Sequence, residues 1–125
     1  MTAFASRIFW IAALYGFVGI IPQFFLEDRT GRDFPPAITH PEFFYGFLGV
    51  ALAWQVAFVL IARDPIRYRP MMIPSAMEKI AFGIAGVMLY ATGRAGWMPL
   101  AAGAVDLVFS SLFLIAYGKT PKKAG

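Results

Sequence analysis

Four apolar stretches, 8–26, 43–62, 75–92 and 97–118, take up most of this chain and limit its folds more than anything else in it. A helix rises ~1.5 Å per residue, so ~20 apolar residues cross ~30 Å of hydrocarbon. Three stretches have that length. The third is interrupted by Glu78 and Lys79, which leave a continuous apolar run only from Ile80 to Gly93. It still spans if Lys79 snorkels its ammonium out to the headgroups. Inside lipid a chain must satisfy its backbone internally, and apolar runs of this length do so as helices. The expected fold is all-α: a single membrane domain over 1–125, built as a four-helix transmembrane bundle.

Composition argues against a soluble alternative. Hydrophobic residues make up 59% of the 125 and charged residues 14%, where a soluble domain carries about a quarter charged. So small a core could not hide that much apolar surface, which makes the lipid bilayer the expected partner. The +4 net charge is spread around the spans rather than gathered in one stripe, so no nucleic-acid partner is expected. With no cysteine, disulfides, thiol catalysis and thiolate metal sites are excluded. Ile21-Pro22-Gln23-Phe24-Phe25-Leu26 after the first span offers no small-x-small cleavage site, so that span should be retained.

The basic residues orient the spans. Arg7, Arg63, Arg67, Arg69, Lys79, Lys119, Lys122 and Lys123 fall on one side, and Arg29, Arg32 and Arg94 on the other. That asymmetry predicts cytoplasmic termini in a bacterial inner membrane, N-in and C-in. Trp10, Tyr68 and Tyr117 then sit near the inner interface, with Tyr45, Tyr90 and Trp97 near the outer one. Gly93-Arg94-Ala95-Gly96 is a tight turn that makes the last two helices antiparallel neighbours. Thr39 with Glu42 around Pro41, and Ser75 with Glu78 after Pro74, have capping-box spacing at two helix starts. Tyr15-Gly16-Phe17-Val18-Gly19 and Tyr45-Gly46-Phe47-Leu48-Gly49 nearly repeat one another, and Gly83 and Gly86 share the spacing. Close helix packing through small residues is the plain reading; duplication of an ancestral hairpin is the other.

Asp106 is the most informative single residue. Counted from Trp97 it lies ~13 Å deep, where an acidic side chain costs ~2.5–3.5 kcal/mol and has to face the bundle and find partners. Gly19, Gly49 and Gly86 come at the same depth, which suggests a glycine ring around it. Gln23, Tyr45 and Tyr90, one turn outward, are the candidate partners, and Ser110 follows at i+4. Asp106, Tyr90, Tyr45 and Gln23 are therefore the candidate ligand-binding set, and a structural clamp is the competing role.

Other polar residues give weaker signals. His40 and Glu42, with Asp28 and Asp33, could approach a divalent cation, though their spacing does not require one. One histidine cannot make a bis-His haem site, and the sequence assigns no cofactor. Arg63, Arg67, Arg69 and Lys79 form a candidate lipid-headgroup set around Asp64-Pro65-Ile66 and Tyr68. Glu78 is accounted for by its cap, with Arg67 or Arg69 as alternative partners. Gln55, beside Trp54, reads as an interhelical hydrogen-bond donor.

The part beyond residue 40 resembles a widespread family of small, uncharacterised bacterial four-span membrane proteins. The matching residues are His40-Pro41, Ile61-Ala62-Arg63-Asp64-Pro65, Arg67, Arg69, Ile73-Pro74, Lys79, Asp106-Leu107-Val108-Phe109, Leu112-Phe113 and Ala116-Tyr117. In size and layout the chain is also loosely similar to DoxX-like proteins. The resemblance implies the four-span topology and points to Asp106 and Lys79, with no activity attached. Members often carry an acidic residue in the first helix, where this chain reads Leu14-Tyr15-Gly16. The expected function is non-enzymatic: binding an apolar or amphipathic ligand, or serving as an accessory subunit of a membrane assembly. A homo-oligomeric small-molecule transporter is the second reading and an intramembrane enzyme the third, since one aspartate and one distant histidine assemble no catalytic set.

Overall fold

A computed structural model describes residues 2–124. Helix α1 (Ala3–Ile20) continues into a 3₁₀ segment, Ile21–Phe25, and is followed by the short helix α2 (Glu27–Asp33). Then come α3 (Pro41–Arg63), a 3₁₀ turn at Arg69–Met71, α4 (Met72–Ala91) and α5 (Trp97–Lys119). Four units are long and apolar enough to cross a membrane: Ala3–Phe25, Pro41–Arg63, Arg69–Ala91 and Trp97–Lys119, each of 23 residues. Only 22–33% of their apolar windows is buried inside the bundle. Val18, Phe25 and Phe43 are among the many large side chains left outside. Exposed apolar surface on this scale needs lipid around it, so the chain is an all-helical, multi-pass membrane protein.

The element boundaries differ from the sequence reading for local reasons. The first span begins at Ala3, so Arg7 lies within its first turns rather than ahead of it. Pro22 has no N–H and its ring crowds the preceding turn, which fits the tightening of this span to 3₁₀ geometry over its last residues. Helix α2 went unpredicted because it has no apolar period. Charge supports it instead: Glu27 and Asp28 lie in the first turn and Arg32 in the last, and Arg29 pairs with Asp33 at 3.3 Å.

Neither capping box forms. His40, not Thr39, precedes α3 and has no side-chain cap, and Glu42 turns instead to the His40 ring. Pro41 does occupy the first helical position. Helix α4 starts at Met72, which places Ser75 inside it, donating to the Met71 carbonyl at 2.7 Å. Glu78 is thus an interior residue of a membrane span.

Packing is uneven around the bundle. Helices α4 and α5 make the most extensive contact, α1 packs along α3, and α1 against α5 joins the two hairpins. Helices α3 and α4 meet only sparsely. The turn between α4 and α5 is a Schellman closure: Gly93 takes φ +72°, its N–H donates to Tyr90 O, and the Arg94 N–H donates to Leu89 O. A left-handed residue there favours glycine.

Buried residues fall in stripes at three- and four-residue spacing, one per helix. These are Ala5, Phe9, Ala12 and Gly16 on α1, and Leu48, Ala51, Gln55, Phe58 and Ala62 on α3. On α4 they are Met72, Ala76, Lys79, Gly83 and Gly86, and on α5 Gly103, Asp106, Ser110, Phe113 and Ala116. Such spacing keeps one face of a helix on its neighbours. Toward the end where the termini lie, Phe9 stacks on Phe113 with centroids 4.1 Å apart, and Phe58 meets both rings edge-on.

That end is tied together by cations. Arg69 Nε donates to the carbonyls of Tyr117 (3.1 Å) and Thr120 (2.7 Å), and its guanidinium lies 3.8 Å from the Tyr117 ring centre. It thereby satisfies carbonyls at the end of α5 that have no partner within the helix. Lys119 sits over the Phe4 ring. The N-terminal turn, the α3–α4 connection and the C-terminus therefore share one end of the bundle.

Candidate functional site

Lys79 and Asp106 lie on the inward stripes of α4 and α5, each well inside its span. Lys79 is ~15 Å along the helix from Arg69, and Asp106 ~13 Å from Trp97. Their burial is nearly complete, with 3% of Lys79 and 8% of Asp106 exposed. Lys79 Nζ stands 3.4 Å from Asp106 Oδ1, which is long for a hydrogen bond and close enough for an ion pair. The ammonium also lies 5.3 Å from the Phe58 ring centre and 5.5 Å from that of Phe109, within cation–π range. Tyr15 of α1 tilts against Phe109 at 5.6 Å and lies within the electrostatic reach of Asp106. All four spans thus contribute to one layer.

This arrangement corrects several expectations. Lys79 does not snorkel to headgroups, because the Asp106 carboxylate is a closer and better partner than distant phosphate. The expected partners of Asp106 lie elsewhere. Gln23 donates to its own helix at Gly19 O (2.7 Å), and Tyr90 is exposed. Tyr45 lies beside Glu27, along a surface groove also lined by Phe24, Arg29 and Arg32. Ser110 shares the Asp106 face but donates to Leu107 O.

The glycine ring is not a ring either. A Cβ on Gly19, Gly46 or Gly49 would meet nothing within 4 Å. Gly83, Gly86 and Gly103 instead form the α4–α5 contact, where a Cβ on Gly86 would come 2.5 Å from Pro99 O. On α1, Gly16 makes room for the Gln55 side chain.

Gln55 is 1% exposed, and its Nε2 donates at 2.8 Å to Ala51 O on its own helix, not across helices. Its Oε1 is buried with no partner. The same is true of Glu78 Oε2, and Glu78 reaches neither Arg67 nor Arg69. It lies instead within the electrostatic reach of Lys79 and Asp106. Of the headgroup set, Arg63 and Arg67 remain exposed at the terminal end while Arg69 is half-buried in its clasp. His40 and Glu42 pair at 3.0 Å. Asp33 is taken by Arg29, and among the described residues no three histidine or acidic side chains gather as metal ligands.

The signal that would have found the ion pair was present in the sequence. Met72, Ala76, Lys79, Gly83 and Gly86 follow one another at helical spacing, so the lysine shares a face with the glycines that pack against α5. Depth says how far in a residue lies, and only this rotational register says toward what.

The fold and this layer define a class: a four-span helical membrane protein that keeps a charge pair inside its bundle. Comparison with protein-family models, with curated proteins and with solved structures gives no match.

Proposed function

We propose that this is a bacterial inner-membrane protein with cytoplasmic termini, and that it binds an amphipathic ligand at the Lys79–Asp106 layer without catalysing a reaction. The observation that carries the reading is the pair itself. Replacing a buried ion pair by apolar residues is often neutral or stabilising by ~1–4 kcal/mol, so holding α4 to α5 does not require one. Two features beside it suit the polar head of a ligand whose body lies in lipid. Lys79 has N–H groups that face only aromatic rings, and α3 and α4 are sparsely packed. Kinship with the uncharacterised four-span proteins belongs to the same proposal, on the residues quoted above.

Orientation rests on the basic residues. With Lys79 inside the bundle, seven of the eleven lysines and arginines gather at the terminal end and three at the other. A C-terminal alkaline phosphatase fusion should be inactive, and activity would reverse the assignment. The ligand is tested by mild-detergent purification, solvent extraction and mass spectrometry. One amphipathic species should co-purify in near-stoichiometric amount and be lost from the Lys79→Met/Asp106→Leu double variant. Recovery of bulk phospholipid alone from both proteins would overturn the proposal.

Assembly into a homo-oligomer, as a transporter or accessory subunit would need, is a second reading. Gly19, Gly46 and Gly49 favour it, because they leave open space on the outer faces of α1 and α3 where another helix could approach. Cross-linking through Gly46→Cys in native membranes would show the dimer or dismiss it.

A further inference from the structure

Glu78 is absorbed neither by a cap nor by the ion pair. It lies on a membrane span ~13 Å along the helix from Arg69, with Oε2 shut off from the surface and unpartnered. The charges nearby are two carboxylates, Glu78 and Asp106, and one ammonium, Lys79. The ammonium is directed to Asp106 and to the Phe58 and Phe109 rings, and no hydrogen bond links it to Glu78.

The packed helices bring no second cation. Helix α1 contributes the phenol of Tyr15, its Arg7 being exposed near the helix start and outside the charges that act on Glu78, and α3 has no ionisable residue between Tyr45 and Arg63. The inward stripe of helix α5 contributes Asp106 and the Ser110 hydroxyl, while its Lys119 lies at the helix end over the Phe4 ring. Arg69, at the end of the span, is occupied by the carbonyls of Tyr117 and Thr120. An ionised Glu78 would thus leave a net negative charge on a half-buried carboxylate in a membrane span, with no donor to its buried Oε2. Protonation removes the charge and turns Oε2 into an ordinary carbonyl oxygen, which is far less costly to bury.

We infer that Glu78 holds a proton inside the bundle, so that Glu78, Lys79 and Asp106 form a one-proton binding site in the membrane. The proton comes from water at the bilayer surface, and the trio is neutral only when it is bound. This concerns the bundle's own charge balance and stands whether or not a ligand occupies the neighbouring layer.

Infrared spectroscopy of the protein in a carbonyl-free detergent at neutral pH reads the proton directly, through the carboxylic-acid C=O band and its shift in D₂O. The wild type should show one protonated carboxyl. Glu78→Gln, which copies the shape of the protonated acid and so should fold, should show none. Asp106→Asn should also show none, because Lys79 then neutralises an ionised Glu78. Lys79→Met should show two. Absence of the band in the wild type, its persistence at full area in Glu78→Gln or Asp106→Asn, or an unchanged area in Lys79→Met would each overturn the inference.

Discussion

The two seams flanking α4 are built in opposite ways. Against α5, glycine meets glycine: a Cβ on Gly103 would lie 3.1 Å from Gly83 O and 3.5 Å from Gly86 Cα, so the backbones themselves are in contact. Against α3 the backbones stand apart and side chains bridge the space. Phe47 stacks on Phe82 at 5.8 Å, and Phe58 reaches the Lys79 ammonium. Lipid tails are as apolar as leucine, so helices in a membrane gain little from burial alone and rely on fit and polar contacts. The α4–α5 seam has both, in its glycines and its ion pair. The α3–α4 seam has aromatic contact without close backbone approach. The first is a structural joint, and the second is where the bundle can most easily open to a molecule from the bilayer.

If the comparison holds, the α4–α5 seam should tolerate neither loss of a charge nor gain of an atom, and the α3–α4 seam should respond to lost rings. The largest effect is expected for Asp106→Leu, which removes the carboxylate 3.4 Å from Lys79 Nζ and leaves only Glu78, with no hydrogen bond to it, to balance the ammonium. It should cost ~3–5 kcal/mol in reversible unfolding in mixed micelles. Gly86→Val comes next, at ~1–3 kcal/mol, because its side chain runs into the Pro99 carbonyl. Phe82→Ala should cost less, ~0.5–1.5 kcal/mol, by deleting the stack on Phe47. A larger loss for Phe82→Ala than for Gly86→Val would invert the comparison. Smallest is Gly49→Ala, at an open helical position, where a gain of up to ~1 kcal/mol is expected. A loss there would mean that this face is covered.

Much of the fold could be read from the sequence because length and hydropathy act along the chain. The four spans, the Gly93–Gly96 turn and the Gly83–Gly86 contact all follow from local spacing. What failed needed rotation about the helix axis or a competing partner. Gly19 and Gly49 share a depth with Asp106 but lie outside the packed stripes. Lys79 was long enough to reach the headgroups, and only a carboxylate on another helix decides that it does not. The Thr39–Glu42 capping box fails by one residue of register: α3 begins at Pro41 after His40, so Glu42 falls at its second position and meets the His40 ring. Helix α2 rests on charge placement, which leaves no trace in hydropathy.

The central claim is that Lys79 and Asp106 meet inside the bundle, and a double-mutant cycle tests it most directly. Lys79→Met, Asp106→Leu and the double variant would each be unfolded under identical conditions. If the two charges meet, each single variant breaks the pair and forces the remaining group to rebalance through Glu78 or a bound proton, at a loss of stability, while the double variant returns to within ~1 kcal/mol of the wild type or exceeds it. Losses that simply add, with the double variant the least stable of the three, would show that the two side chains do not face one another.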